Sequence, residues 1–517
     1  MFKQIAPLSG ARTSSTRADR PAVSDTDQSP LLVAVALLAL VICCLAISNQ
    51  SFWIDEAGGG HVAKQPTLAT WWRAVLHHGE DLQLPLYTFF IWGWEKVVGL
   101  QEAGIRAGNA LWFLPGVLVM FYALAGKPLL RWSFSTVLLC SPFVWYYLNE
   151  ARPYAMQIGL SLIVFAALYQ IGSTQNRSTQ ERGWVIALCL GSVLFGAVSL
   201  LAMLWLGAYL GAGVLGAPED HRRRLARDYR MYWVPTLALL CAEGLFYLWT
   251  LSRGTRGAPL PATGFRNVVF VIYELLGFGG LGPGRLAIRN GGLGAFRPWV
   301  PWLAIYGVVL LIVLIQGWRQ VTTFTSRRTR VCWVAALVIV VGFISIVGAK
   351  VQWRVLGRHC ASAVVPVLFV LGAGVATLLS RRTRSGRIVV AAFVGLSFVS
   401  DLNLRFSERH AKEDYRSAAV IATAAAARGE HVWWCADGGA GIYYGVPMSQ
   451  PNSTPAPGQV WLLVDPTERL LASQPPPQVV VYSSKIEHDP GQRLRAYLQQ
   501  GHYGLSQVLP SFTIWRR

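Results

Sequence analysis

Two adjacent carboxylates, Asp55 and Glu56, follow the first long apolar segment of the chain, within FWIDEAGGGHVAK at residues 52–64. A carboxylate within hydrogen-bond reach of an attacking hydroxyl can take its proton. The pair could therefore serve as a catalytic base. The competing interpretation is that Asp55 caps the turn after the apolar segment and that Glu56 is solvated.

Four basic residues also stand at the ends of apolar segments, in NEARPY at 149–154 and KVQWRVLGRH at 350–359. They are Arg152, Lys350, Arg354 and Arg358. Arginine can hold a phosphate with two parallel hydrogen bonds, and lysine adds a point charge. A carboxylate among such cations could hold a lipid-linked phosphate beside a reacting hydroxyl. The alternative is that the arginines reach toward lipid headgroups.

The composition indicates the class of protein that carries these residues. Of the 517 residues, 53% are hydrophobic and 14% are charged, whereas soluble proteins carry about 25% charged residues. The chain is therefore predicted to be a mainly α, polytopic membrane protein. Its formal charge of +20 comes in short arginine clusters between apolar segments, as in loops at an anionic membrane surface. No nucleic-acid partner is expected.

The first apolar run, 31–48, follows thirty polar residues, so we expect an uncleaved anchor behind a cytoplasmic polar tail at 1–30. A transmembrane domain is predicted over 31–403. It contains about eleven spans, at 31–48, 104–126, 133–148, 154–171, 183–199, 200–216, 231–251, 299–318, 331–349, 359–380 and 388–403.

The arginine clusters orient these spans, because basic loops favour the cytoplasmic side. The inner loops are then 126–132, 172–182, 217–230, 319–330 and 381–387. The outer segments are 49–103, 149–154, 252–298, 350–359 and the tail 404–517. This orientation places both carboxylates and all four cations on the extracytoplasmic side.

The orientation depends on the segment 84–99, which is apolar but short and interrupted by Pro85, Gly93, Glu95 and Lys96. We expect it to be an amphipathic helix in the outer interface, with a second interfacial helix at 67–78. If residues 84–99 crossed the membrane, every later loop would change sides.

The tail 404–517 combines helical patterns with short strand-like runs at 432–435, 460–464 and 479–482. It is predicted to be a small extracytoplasmic soluble domain of α/β or α+β type. Of the eight cysteines, only Cys435 lies in this region, and the chain has no CxxC spacing. The sequence therefore predicts neither a disulfide in the tail nor a metal site.

Several longer motifs follow in a distinctive order: EAGIRAGNALW at 102–112, SPFVWYYLNEARPYAM at 141–156 and GRHCASAVVP at 357–366. With the acidic pair, they resemble glycosyltransferase family 39, which contains the protein O-mannosyltransferases and the lipid A aminoarabinose transferases. The similarity covers most of 30–380 and extends into the tail through KEDYR at 412–416. Many relatives carry a His-Pro-Pro-Leu-Tyr-like run where this chain has residues 83–87.

The resemblance implies the C-type membrane glycosyltransferase fold and a donor sugar carried on a polyprenyl phosphate. It implies transfer at the outer face of the cytoplasmic (inner) membrane, commonly with inversion, to an acceptor protein, lipid or glycan. Asp55 matches the position of the base, with Glu56 beside it. The donor phosphate is assigned to Arg152, Lys350, Arg354 and Arg358. Further candidates for substrate binding are Gln83, Tyr87, Arg106, Tyr154 and His359.

No obligatory cofactor or metal is expected, because a monophosphate donor does not require a diphosphate-binding ion; a role for a divalent metal stays open. Three other interpretations remain: a flippase or transporter of lipid-linked sugars, a ligase or polymerase of surface polysaccharide, and a structural membrane component. A transporter is expected to place charged residues within its spans.

Overall fold

The computed structural model describes residues 28–77, 81–173, 179–253 and 263–517. Most of the predicted cytoplasmic tail, residues 1–27, lies outside the described residues. So do parts of the predicted inner loop 172–182 and outer loop 252–298.

The first half of the described chain is built from helices joined by short connections. These are α1 Ser29–Ala46, α2 Ile54–Ala63, α3 Leu68–His77, α4 Pro85–Val98, α5 Glu102–Ala123, α6 Pro128–Leu139, α7 Pro142–Leu148, α8 Tyr154–Ser173, α9 Thr179–Val198, α10 Leu200–Gly216, α11 Glu219–Asp228 and α12 Arg230–Arg253.

The helical part continues to residue 406. Its elements are α13 Phe265–Leu275, α14 Arg285–Gly291, α15 Val300–Phe324, α16 Arg327–Lys350, α17 Val364–Ser380 and α18 Arg384–Phe406. Short 3₁₀ segments lie at Asp81–Gln83, Gly279–Leu281, Gly292–Trp299 and Gly357–Ala363.

The predicted polytopic helical bundle is confirmed. Among the described residues, nine helices are long and apolar enough to cross a membrane, or ten when the pair α10 and α11, bent by 117°, is counted as one span. The predicted span at 133–148 differs, because it divides into α6 and α7. The break falls just before Pro142, which stands in the first turn of α7, where its ring cannot continue the preceding helix.

Helices α5 and α8 approach closely because glycines face each other. A Cβ added at Gly116 would lie 2.4 Å from the carbonyl oxygen of Gly159, so only the missing side chains permit this approach. The contact is continued by Asn109, whose Nδ2 donates to the carbonyls of Leu148 and Glu150. The start of α5 is thereby fixed beside the connection between α7 and α8.

The predicted helices at 67–78 and 84–99 are present as α3 and α4. Helix α4 has 14 residues, which is shorter than the roughly 20 needed to cross a bilayer. The two helices are joined by Trp71, whose Nε1 donates to the carbonyl of Thr88 at 3.2 Å. Their location in the outer interface stays a prediction.

The chain beyond the bundle forms a five-stranded sheet of strands β1 Val432–Cys435, β2 Trp461–Leu462, β3 Val479–Ser483, β4 Gly504–Leu509 and β5 Phe512–Arg516. The strand order is β2-β1-β3-β5-β4. Strand β1 is parallel to β2 and β3, whereas β5 is antiparallel to β3 and β4. Its helices are α19 Tyr415–Ala427, α20 Gly438–Tyr443, α21 Glu468–Ala472 and α22 Arg493–Gln500. The predicted small mixed α and β domain is therefore present.

This C-terminal domain packs on the segment that follows α1. The hydroxyl of Tyr444 accepts a hydrogen bond from the backbone N–H of Phe52 at 2.7 Å and donates to Glu102 at 3.0 Å. Arg416 pairs with the other oxygen of Glu102 at 3.0 Å. The segment that connects α1 to α5 and the C-terminal domain thus lie at the same end of the bundle.

Candidate active site

Helix α2 presents both carboxylates in its first turn, where the positive end of the helix dipole favours negative charge. Its glycines allow close packing from two sides. A Cβ at Gly60 would lie 2.6 Å from the ring of Tyr443, and one at Gly59 would lie 4.0 Å from Nη1 of Arg152. The helix is therefore held between the C-terminal domain and the bundle.

The Asp55 carboxylate faces Arg358, which lies in the 3₁₀ segment before α17. Its Oδ2 is 2.5 Å from Nη1 of Arg358, and the two side chains are 22% and 17% exposed, respectively. Among the described residues, no hydrogen bond reaches Oδ1 of Asp55. That oxygen can therefore accept a proton.

Arg152 holds the backbone of the same residue. Its Nη1 donates to the carbonyl oxygen of Asp55 at 3.0 Å. Burial by itself would raise the pKa of Asp55, but the charges of Arg358, Arg152 and Lys485 hold that pKa below its usual range. Tyr154 is buried and interacts electrostatically with Asp55 and both arginines. The structure thus brings together four residues that the sequence predicted for the site: Asp55, Arg152, Tyr154 and Arg358.

Glu56 lies in a different environment. Its Oε1 accepts hydrogen bonds from Nε of Arg106 at 2.9 Å, from Nζ of Lys412 at 3.0 Å and from the N–H of Ala151 at 2.7 Å. Its Oε2 accepts from Nη2 of Arg106 at 2.7 Å and from the N–H of Trp53 at 3.3 Å. The Glu56 and Arg106 side chains are 0% exposed.

Arg106 also binds the chain that leads into α2. It donates to the carbonyls of Ser48 at 2.9 Å, Gln50 at 2.6 Å and Ser51 at 3.2 Å. A catalytic role for Glu56 and a substrate-binding role for Arg106 stay predictions. Both side chains are fully enclosed, and their hydrogen bonds hold the loop after α1 against α5.

The remaining phosphate candidates are not gathered with Asp55. Lys350 is exposed at the end of α16, and Arg354 is half-buried in the following connection. Among the described residues, neither forms a salt bridge. Of the cations in this stretch, the structure therefore places Arg358 against the candidate base.

His359 is buried and serves the local backbone. Its Nδ1 accepts a hydrogen bond from the N–H of Leu356 at 2.9 Å, and its carbonyl accepts from Trp205 at 2.8 Å. Its ring packs 4.2 Å from that of Trp353. Contact of this side chain with substrate stays a prediction. Its burial and bonds orient the segment that carries Arg358.

Two other predicted substrate-binding residues belong to the region of α4. Gln83 is half-buried in a 3₁₀ segment just before this helix. Tyr87 is buried within the main core of the bundle. Binding of substrate by either residue stays a prediction.

Sequence reasoning missed a partly buried network behind Arg358. Glu274 accepts a hydrogen bond from the N–H of Gly357 at 2.9 Å and pairs with Arg285, which also donates to the hydroxyl of Tyr146. Glu274 and Arg285 flank the glycine-rich stretch 277–284, where spacing gave no sign of a site. The network positions the backbone beside Arg358.

A second buried carboxylate in this region is Glu150, which is 1% exposed. Burial raises its pKa, and the Glu56 charge adds to this effect, against the opposing charges of Lys412, Arg285 and Arg358. Glu150 stands in the motif NEARPY, two residues before Arg152. Its position adds a second acidic group to the neighbourhood of Arg358.

The C-terminal domain contributes two further cations that sequence reasoning did not place in the site. Lys412 contacts Glu56, as described above, and also donates to the carbonyl of Asn149 at 2.6 Å. Lys485 pairs with Glu413 at 2.5 Å. KEDYR at 412–416 was the available signal for Lys412; Lys485 lies in no motif. Within the described chain, no group of three His, Cys, Asp or Glu residues could hold a metal ion.

The fold is similar to that of two crystal structures of ArnT from Cupriavidus metallidurans, one in the apo state and one bound to undecaprenyl phosphate. The TM-scores are 0.52 and 0.51 at 12% sequence identity, and each match covers 95% of this chain and 98% of ArnT. A cryo-EM structure of the arabinofuranosyltransferase AftD from Mycobacteria matches with a TM-score of 0.41 at 12% identity, covering 94% of this chain and 40% of AftD.

No protein-family model matches the chain, and no curated protein matches it by sequence. The likeness to ArnT establishes the fold, and it confirms the predicted C-type membrane glycosyltransferase fold.

Proposed function

We propose that this multi-pass membrane protein transfers a sugar from a polyprenyl-phosphate-linked donor to an acceptor hydroxyl at the extracytoplasmic mouth of its bundle. The observation that carries the proposal is Asp55, a partly exposed carboxylate with one open oxygen and one oxygen held by Arg358. The ArnT structure of the same fold that is bound to undecaprenyl phosphate supports a lipid phosphate as the carrier.

Asp55 acts as the general base. The acceptor hydroxyl loses its proton to Oδ1 as its oxygen attacks the anomeric carbon, and the bond from that carbon to the phosphate oxygen breaks. The electron pair leaves with the polyprenyl phosphate. Attack from the face opposite the leaving group inverts the configuration at the anomeric carbon.

Arg358 has two successive partners in this mechanism. Without donor it pairs with Asp55, and a carboxylate so stabilised is a weak base. A donor phosphate attracts the same guanidinium and can bind it with two hydrogen bonds. Donor binding therefore frees Asp55 to take a proton, and Arg358 then stabilises the charge that develops on the leaving phosphate.

Arg152 has a fixed role beside them. Its hydrogen bond to the Asp55 carbonyl orients the base, and its charge remains near the phosphate. The arginine-rich loops, which favour the cytoplasmic face, support the extracytoplasmic assignment, and the C-terminal domain lies at the same end of the bundle as Asp55. The inner membrane is the proposed location, and the acceptor is a protein, lipid or glycan.

The test is transfer in proteoliposomes that contain the purified full chain. Labelled polyprenyl phosphates carrying single sugars are supplied together with membrane, protein and glycan acceptors. We expect a labelled glycoside and free polyprenyl phosphate in equal amounts, with the opposite anomeric configuration. Movement of the donor across the bilayer without transfer would identify a flippase instead. Transfer restricted to preassembled glycans would identify a ligase or polymerase.

A further inference from the structure

Trp53 stands immediately before helix α2, two residues before the candidate base Asp55. Its backbone is fixed by two hydrogen bonds. The N–H of Trp53 donates to Oε2 of Glu56 at 3.3 Å, an oxygen that Nη2 of Arg106 also holds at 2.7 Å. The carbonyl of Trp53 accepts from the N–H of Ala57 at 2.9 Å. The half-buried indole of Trp53 therefore extends from a fixed point of the chain.

The indole ring of Trp53 lies against the guanidinium of Arg358, the ion-pair partner of Asp55. The central carbon of this guanidinium lies over the ring, 5.4 Å from its centroid. A guanidinium within about 6 Å of the centroid is attracted by the negative face of an aromatic ring. The contact therefore holds the 3₁₀ segment before α17 beside the start of α2.

The indole nitrogen of Trp53 is enclosed, yet no hydrogen-bond partner for it occurs among the described residues. Other indoles of the bundle have one. Nε1 of Trp92 donates to the carbonyl of Gln65 at 2.8 Å. Nε1 of Trp205 donates to that of His359 at 2.8 Å. Because an enclosed N–H without an acceptor costs free energy, the donor of Trp53 points to a ligand.

The chemistry of the neighbouring groups favours a phosphate oxygen as the acceptor. An indole N–H donates and cannot accept, so it selects a ligand atom with a lone pair. Arg358 beside it is 17% exposed, and its positive charge favours an anion. A phosphate oxygen combines the lone pair with the negative charge, whereas a sugar hydroxyl offers only the lone pair.

We propose that Trp53 is a donor-binding residue whose indole N–H donates to an oxygen of the polyprenyl phosphate and whose ring supports the Arg358 guanidinium that binds the same phosphate. The inference rests on the proposed function, because the phosphate is taken to be that of the donor. The ring contact keeps Arg358 beside α2 when the guanidinium exchanges Asp55 for phosphate. The neutral N–H binds the phosphate without forming a second ion pair with Asp55.

The test is calorimetric titration of undecaprenyl phosphate into the purified full chain in nanodiscs. Trp53→Phe keeps an aromatic face for Arg358 but removes the N–H, so the affinity should fall about tenfold. Trp53→Leu removes both, so the affinity should fall by about threefold to tenfold more. Thermal unfolding of each variant checks that the fold is kept, and Trp53→Phe tests the hydrogen bond even if Trp53→Leu does not fold.

The matched control is Trp112→Phe on α5. Nε1 of Trp112 is also enclosed without a partner within the described part of the chain, and its ring packs on that of Phe90 at 5.4 Å. This variant should change the affinity for undecaprenyl phosphate less than about twofold.

The role of the ring is tested in an Arg358→Gln background. There Trp53→Phe should still weaken binding about tenfold, whereas the additional loss in Trp53→Leu should disappear, because the ring acts through the guanidinium. An additional loss that persists without Arg358 would overturn the supporting role of the ring.

Wild-type affinity of Trp53→Phe for undecaprenyl phosphate would overturn the inference, and so would an equal loss in Trp112→Phe. A loss seen only in the KM of the glycosylated donor would assign the N–H to the sugar and overturn the phosphate contact. Failure of the proposed function is distinct, because transfer would then be absent from wild type or retained by Asp55→Asn, whatever the affinity of Trp53→Phe. A wild-type chain that does not bind undecaprenyl phosphate would overturn both.

Discussion

Asp55 and Glu56 are neighbours in sequence, yet their surroundings differ in a way that separates chemistry from structure. Asp55 is partly exposed, and among the residues that the structure describes it pairs with Arg358 and keeps one oxygen open. Glu56 is fully buried and has both oxygens bonded, to Arg106 and Lys412 among others. A carboxylate can act on a substrate only if the substrate can reach it. Charge near a membrane surface is therefore a weaker sign of catalysis than an open oxygen.

The largest effect on transfer is expected from a substitution of Asp55. Asp55→Asn keeps the shape of the side chain but removes the proton acceptor, so transfer should fall about 10²-fold to 10⁴-fold while the unfolding temperature stays near that of wild type. Transfer rates and thermal unfolding of the purified protein measure the two effects. Asp220→Asn, on the exposed helix α11, is the control. Wild-type transfer by Asp55→Asn would refute the base assignment.

Glu56 should show the opposite result. Glu56→Gln leaves the buried charges of Arg106 and Lys412 uncompensated, so the free energy of unfolding should fall by about 3–5 kcal/mol. Glu219→Gln, which breaks an exposed pair with Arg223, should cost at most about 1 kcal/mol. Denaturation in detergent measures both. Equal losses of unfolding free energy in the two variants would show that the buried pair of Glu56 and Arg106 stabilises the fold no more than an exposed pair does.

The stability due to Glu56 should also depend on pH. Burial by itself raises the pKa of Glu56, but Arg106 and Lys412 lower it from 4.5 to about 2. Because the folded-state pKa lies below the unfolded value, the stabilisation is present above pH 4.5 and is lost as the pH falls toward about 2. In Glu56→Gln this part of the acid dependence should disappear.

Arg358, the ion-pair partner of Asp55, should affect binding of the donor phosphate. Arg358→Gln should weaken binding of undecaprenyl phosphate by about tenfold to 100-fold, because a charge-assisted hydrogen bond is worth about 1.5–3 kcal/mol. Arg354→Gln, four residues away but without a salt bridge among the described residues, should change binding less than about twofold. Fluorescence or calorimetric titration measures both affinities. An equal loss in the two variants would contradict the special position of Arg358.

The smallest effect concerns the pH dependence of the wild-type protein. The acidic limb of kcat/KM reports the donor-free protein, and that of kcat reports the complex. Because donor phosphate draws Arg358 away from Asp55, the pKa of Asp55 should be higher in the complex, and the acidic limb of kcat should lie at higher pH than that of kcat/KM. Coincident limbs would show that Arg358 keeps its contact with Asp55 during turnover.

Much of this organisation could be predicted from local patterns. The apolar segments predicted a polytopic bundle, and the strand-like runs after residue 403 predicted a small domain with a sheet. Asp55, Arg152 and Arg358 were predicted to share one site, because each stands where an apolar segment ends. The difference between the predicted span at 133–148 and the observed helices also has a local cause. Pro142 divides a segment whose hydrophobicity alone resembled one continuous span.

Hydrophobic periodicity and the charges at segment ends were enough to predict the membrane class, the helical bundle and a carboxylate with arginines at one end of it. Packing determined which of the two adjacent carboxylates stays open, because consecutive helical residues point about 100° apart and contact with α5 enclosed Glu56. It also decided the position of Lys485, far along the chain, because an ion pair between distant segments depends on how the domains pack and has no local sequence pattern.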